Sequence, residues 1–314
     1  MKPCFSYRKR RDLMLKNFSA SKCVDVLSDT MRHCGTFLHY KRGRPCEVKK
    51  EKLVAFILWS RLTGDKFEEM EQNSELFLNR HYDHSNLHYH YTRLPATVLY
   101  TLTSILERKI KSMINEILLH IADSTALSTS VREERLVQGT RNKVKLTTKF
   151  HTLLGYDPTF QLLVVEGMLA SDKHISDSKG TEQSISQEKL KGYLLGDSAF
   201  ETYDLINLAK EKGLTPLFKP QKKTVRKKLS YKAQLRKVWN GNHSRLYKDI
   251  RGSGEALYGA ATRTGIIFTH CKRTDNQHKD SLIIGLRQNL FTYLRLKSVF
   301  QRIIRKTPIQ QLIT

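Results

Sequence analysis

The sequence predicts an α/β protein: a mixed sheet flanked by helices, preceded by an all-helical N-terminal region. Three observations carry this reading. From Ser21 to about Glu116 the apolar residues recur at helical spacing. Beyond residue 116 short apolar runs take over, and two of them lead into aspartates, Ile117–Ala122 into Asp123 and Tyr193–Gly196 into Asp197. The order strand, hairpin, strand, helix, strand is that of a mixed sheet covered by helices. The chain therefore divides into a helical region at 1–115, with a possible helix-turn-helix, and an α/β region at 116–314 with a basic insertion at about 219–243.

Residues 1–20 are basic and irregular. Leu53, Val54, Phe56, Ile57 and Leu58 predict an apolar helix ending near Thr63-Gly64-Asp65, and a second helix fits Phe67 to Phe77. Two helices joined by a glycine-containing turn resemble a helix-turn-helix, as do many bundles. Pro95 suits the first turn of a long helix marked by Val98, Leu99, Leu102, Ile105, Ile110, Ile114 and Leu118. Val144–Leu154 reads as a basic strand, Gly155-Tyr156-Asp157-Pro158 as a turn, and Phe160–Met168 as a partner strand. Asp172–Gln187 reads as a loop into a short helix. A helix at 202–212, its Gly213 cap and a strand at Leu214–Phe218 follow the Asp197 run. Helical patterns resume at Ser244–Thr262 and Asp280–Ile304.

Composition bounds the function. With 314 residues, 39% hydrophobic and 27% charged, the chain suits a globular protein with a sizeable core. No apolar run approaches the roughly 18 residues of a membrane span, and none of the N-terminal pattern suits a secretory signal. Five cysteines without a Cys-x-x-Cys pair predict neither zinc nor a disulfide framework, which points to the cytoplasm. The 55 Lys+Arg against 30 Asp+Glu give a formal charge of +25 and predict a polyanionic partner, nucleic acid ahead of a membrane surface.

Carboxylates at the ends of separate buried strands can converge, and in so basic a chain a metal acting on nucleic acid is the simplest reason for it. Phosphodiester cleavage by two metals needs acids that hold ions about 3.5–4 Å apart, and Mg2+ prefers such oxygen ligands. Asp123 and Asp197 meet the positional requirement. Glu255 is the candidate third acid, because Tyr247, Arg251 and Glu255 fall at i, i+4 and i+8 along one helical face. Arg251 would clamp a phosphate there. Asp249, Asp275 and Asp280 compete for the third place, and Gly252-Ser253-Gly254 interrupts the helical pattern.

Ala122-Asp123-Ser124-Thr125, Gly196-Asp197-Ser198-Ala199-Phe200, the following Gly213–Pro220 segment and Arg251-x-x-x-Glu255 carry a resemblance. Over roughly residues 115–300 the chain resembles the DDE transposases of bacterial and archaeal insertion sequences, which have an RNase H-like core. Tyr247 stands one residue further from Arg251 than in that family's Tyr-x2-Arg-x3-Glu-x6-Lys signature, and Arg263 takes the basic position one residue late. The resemblance implies a transposase that cuts and joins double-stranded DNA at an element's terminal repeats. It also implies Asp123, Asp197 and Glu255 as ligands of two Mg2+ or Mn2+ ions, and a homodimer on nucleoid DNA. A non-catalytic DNA-binding protein derived from a transposase and a structure-specific nuclease of the same fold are the alternatives.

Further DNA contacts are expected from Lys222, Lys223, Lys227 and Lys228 in the basic insertion, beside Tyr247, Arg251 and Arg263. Arg42 and Arg44, in Arg-Gly-Arg-Pro, suit an AT-rich minor groove or an ordinary basic loop equally. His81, His84, His88 and His90 read as a polar helix face, and His120 and His151 as packed or surface histidines.

Overall fold

The computed structural model describes residues 19–33, 47–129, 134–136, 143–145, 148–172, 174–185, 190–220, 239, 242–264, 266, 268–269, 271 and 273–306. Helices α1 (Ala20–Arg32), α2 (Lys50–Thr63), α3 (Phe67–Leu78), α4 (His84–Arg93) and α5 (Ala96–Lys111) come first. They lead into β1 (Leu119–Ala126), the short β2 (Ser128–Thr129), β3 (Glu134–Leu136) and β4 (Lys143–Lys145), and the long hairpin of β5 (Thr148–Asp157) and β6 (Leu162–Asp172). The rest is α6 (Asp177–Ser184), β7 (Gly192–Gly196), α7 (Tyr203–Glu211), β8 (Leu214–Phe218), α8 (Asn242–Thr264), β9 (Phe268–Thr269) and α9 (Thr274–Lys306).

The main sheet has the order β6-β5-β1-β7-β8, with β1, β5 and β6 antiparallel and β1, β7 and β8 parallel. It is the expected RNase H-like mixed sheet. Adjacent residues on its strands face opposite sides, as the pleat requires. Ile121, Leu154, Val165, Leu195 and Leu217 join the core shared with α8, α9 and the N-terminal helices. Their neighbours Ala122, Leu153, Leu194 and Phe218 join a second core with Phe200, Leu205, Ile206 and Ala209. Pro216 is accommodated because β8 lies at the sheet's edge, where a missing N–H costs no ladder bond.

Gly64 and Gly213 follow α2 and α7 at φ of 84° and 87°, the left-handed conformation that closes helices. Gly155 departs from expectation. It lies inside β5, which runs on to Asp157, and the turn falls after it. A Cβ there would stand 2.8 Å from the Glu166 carboxyl carbon, so glycine serves close packing across the β5–β6 pair rather than a turn. The Pro95 helix ends at Lys111, which leaves Ile114 and Leu118 outside it.

The N-terminal helices share one apolar core with the sheet. α2 is buried from Leu53 to Ser60 and again at Leu62, as befits a helix enclosed on all sides. α3 carries Glu68, Glu69, Glu71 and Glu75 and no basic residue, a charge that repels phosphate. A buried polar hub joins the two halves. Asp280 of α9 accepts hydrogen bonds from Arg61 of α2 at 2.7 Å, Tyr91 of α4 at 2.6 Å and Thr269 of β9 at 2.7 Å. Burial pushes the Asp280 carboxyl up, but Arg61 and these hydrogen bonds outweigh it and hold it below the usual range. The neighbouring Lys279 ammonium donates to the Tyr91 and Thr92 carbonyls at 2.8 and 2.9 Å, and burial lowers its pKa to about 8.

Candidate active site

β1 and β7 run parallel, with Leu119, His120 and Ile121 level with Tyr193, Leu194 and Leu195. Carrying that register two residues further sets Asp123 level with Asp197. Both then lie on the Ile121–Leu195 side of the sheet, the side covered by α8. Asp123 is not at the end of its strand, as the apolar run alone suggests. β1 continues to Ala126 because Ser124, Thr125 and Ala126 pair with His151, Phe150 and Lys149 of β5. It is the pairing with β7 that stops at Ile121.

Each aspartate is oriented by a backbone N–H close in sequence. Asp123 Oδ1 accepts from Ser124 N at 2.8 Å, and Asp197 Oδ1 accepts from Ala199 N at 2.7 Å in the 3-10 turn Ser198–Phe200. One oxygen of each carboxylate is fixed in this way. Burial pushes the Asp123 carboxyl up to about 6. The Ser124 N–H opposes the rise, Asp197 and Glu255 add to it, and Arg251 offsets part of it.

α8 is continuous across Gly252-Ser253-Gly254, where the sequence reads as interrupted. The reason for Gly254 is contact. A Cβ there would lie 3.3 Å from Ile121 Cγ2 and 3.5 Å from Asp123 Oδ2. Glycine thus lets the helix backbone approach the acid directly, and Glu255 is the next residue. Glu255 is 62% exposed and pairs with Arg251, Nε to Oε1 at 3.4 Å. The Arg251 guanidinium lies 5.8 Å from the Tyr247 ring centroid. Tyr247 itself is only 5% exposed, so it supports Arg251 from beneath.

Among the described residues, no three His, Cys, Asp or Glu side chains are grouped closely enough to enclose an ion. The donor set nonetheless fits a hard divalent cation: three carboxylates, no soft ligand, and a half-buried Asp123 whose anionic form is disfavoured as the site stands.

The competing acids are engaged elsewhere. Asp280 is held in the buried hub, Asp249 pairs at the surface with Arg245 at 4.0 Å, and Asp275 with Arg273 at 3.5 Å. Arg263 lies in α8, but its side chain, like Arg42, Arg44, Lys222, Lys223, Lys227 and Lys228, is outside the described residues.

Sequence reasoning missed Thr152 and Tyr258 beside Asp123, and the tie that joins Ser124, Asp177 and Lys149. Thr152, directly opposite Asp123 on β5, donates to the Asp123 carbonyl at 3.3 Å, and Tyr258 of α8 lies 2.7 Å from the Thr152 hydroxyl. On the other face Ser124 donates to Asp177, which also pairs with Lys149 at 2.5 Å. Glu166 was missed as well. It lies 2.5 Å from His120 and 2.8 Å from Lys111, and its place inside the apolar run Leu162–Met168 is the signal that marks it.

Residues 117–291, more than half of the chain, match the family described as the transposase DDE domain. The chain belongs to that family and is a transposase by family. A chain from a cryo-EM structure of the piggyBac transposase synaptic complex with hairpin DNA is similar at 11% identity. That alignment covers 98% of this chain and 83% of the other, with a TM-score of 0.32. No curated protein matches. Among the described residues no helix is long and apolar enough to cross a membrane.

Proposed function

We propose that this chain is the transposase of an insertion sequence, cutting DNA at the element's terminal inverted repeats and joining the freed ends to target DNA. The observation that carries the proposal is the register of β1 and β7, which brings Asp123 and Asp197 side by side beneath the helix bearing Arg251 and Glu255. Asp123, Asp197 and Glu255 would hold two Mg2+ or Mn2+ ions. Bound there, such ions would supply the Lewis-acid chemistry that activates an attacking oxygen and stabilises a leaving one.

The protein's own part is placement and charge. The Ser124 and Ala199 N–H groups orient the two aspartates. Arg251, supported by the Tyr247 ring, is released from Glu255 when that carboxylate turns inward, and its guanidinium then clamps a substrate phosphate. Lys222, Lys223, Lys227, Lys228, Arg42, Arg44 and Arg263 would add phosphate contacts along the duplex. Joining two ends in one event calls for a homodimer, and the working place is the prokaryotic cytoplasm, on nucleoid DNA.

Incubation with DNA carrying the element's own flanking ends, with and without Mg2+, tests the reading. Nicked and joined products that require Mg2+ and vanish in Asp197→Ala, with salt-sensitive DNA binding retained, are expected. Cutting without joining would leave the structure-specific nuclease, and binding without cutting the non-catalytic derivative.

A further inference from the structure

Asp123 and Glu255 come from different elements, and a metal site built on both needs their relative position fixed to a fraction of an ångström. The contact at Gly254 sets how near α8 comes to the sheet, but an apolar contact does not stop the helix from sliding along its axis. A directional bond does. The Thr152 hydroxyl bridges two elements, reaching the Asp123 carbonyl at 3.3 Å. The Tyr258 hydroxyl lies 2.7 Å from Thr152 Oγ1, in a bond to which either oxygen can supply the proton. A relay runs from the α8 phenol through β5 to the backbone of Asp123.

We propose that Tyr258 and Thr152 are positioning residues that lock α8 in axial register with Asp123 and so hold Glu255 at metal-binding distance. This rests on the transposase reading above. Tyr258 lies one turn beyond Gly254 and three residues beyond Glu255, so any axial shift of the phenol is a shift of the acid. One residue of slide is about 1.5 Å, which would lengthen and misalign the 2.7 Å hydrogen bond. Both side chains are buried, Tyr258 at 9% and Thr152 at 0% exposure, so water does not replace the bond readily. Burial and the Asp123 charge also push the Tyr258 phenol well above its ordinary pKa, so the relay contains a neutral hydroxyl.

Tyr258→Phe removes one oxygen and keeps the ring, and Thr152→Val keeps the shape of its residue. Bound Mn2+ is counted by electron paramagnetic resonance on the DNA-free protein, beside cleavage rate and DNA affinity. Each variant should weaken Mn2+ binding and slow cleavage about three- to ten-fold, the worth of one buried hydrogen bond, with DNA affinity unchanged. The double variant should be no worse than the more impaired single one, because both break the same relay. Wild-type Mn2+ binding and cleavage in Tyr258→Phe, or additive losses in the double variant, would overturn the relay. Unaltered Mn2+ binding in Asp123→Asn would instead overturn the metal-site reading itself, so the two failures are distinguishable.

Discussion

Two clusters of charge stand in this molecule, one fully buried and one half-buried beside an exposed glutamate, and they are built to opposite rules. In the hub, Asp280 faces Arg61 and takes hydrogen bonds from Tyr91 and Thr269. Its charge is compensated within the protein, and its carboxyl is held low. At the sheet, Asp123 stands among Asp197 and Glu255 with Arg251 as counter-charge, and its carboxyl is raised to about 6. A compensated buried charge fixes a fold, whereas a crowded set of carboxylates marks a candidate functional site. That contrast separates the acid that ties the N-terminal helices to α9 from the acids that α8 covers.

The strongest way to break the comparison is to remove one acid from each cluster. Asp280→Ala leaves Arg61 buried without its partner and should cost about 3–5 kcal/mol of stability. Asp123→Asn should leave the metal-free protein as stable or more so, because it relieves a crowded carboxylate, yet slow cleavage by at least about a thousand-fold. Urea denaturation and Mg2+-dependent nicking measure the two effects. Equal loss of stability in both variants would show that the Asp123 site is also structural.

Asp65 sharpens the rule, because it lies beside the hub without a cation on its carboxyl. It is 2% exposed, accepts from the Thr63 hydroxyl at 3.1 Å, and is pushed up to about 7 by burial and then by Glu69. Between its ordinary pKa near 3.8 and about 7, the folded state holds a proton that the unfolded chain has released. Its contribution is thus present at low pH and falls as pH rises through that window, by up to about 4 kcal/mol. Asp65→Asn should gain stability relative to the parent at pH 8 and little at pH 4, read by urea denaturation at both. A pH-independent difference would mean that the carboxyl is charged in the fold after all.

The sequence placed Asp197 directly after its strand, because an apolar run leading into an acid is local information. It also placed the closures at Gly64 and Gly213 and the edge strand with Pro216, each set by neighbouring residues. Where it went astray, distant partners decide. Asp123 lies within a strand because β5 pairs past it, and Gly155 continues that strand because Glu166 crowds it. Tyr258 had no visible meaning because its partner Thr152 lies 106 residues away. The pairing of Glu255 with Arg251, by contrast, follows from i, i+4 spacing alone.

The finest form of the comparison lies within one helix turn. Gly252 and Gly254 read alike in sequence as helix breakers, yet a Cβ on Gly252 meets nothing within 4 Å, whereas one on Gly254 meets Ile121 and Asp123. Both substitutions to alanine gain the same helix propensity, about 1 kcal/mol, so the difference between them isolates the contact. Gly252→Ala should raise the denaturation midpoint with cleavage unchanged. Gly254→Ala should gain less, because α8 must retreat by a few tenths of an ångström, and the retreat carries Glu255 away from Asp123 and slows cleavage several-fold. Two variants alike in stability and in rate would show that α8 does not depend on that close approach to hold the acid in place.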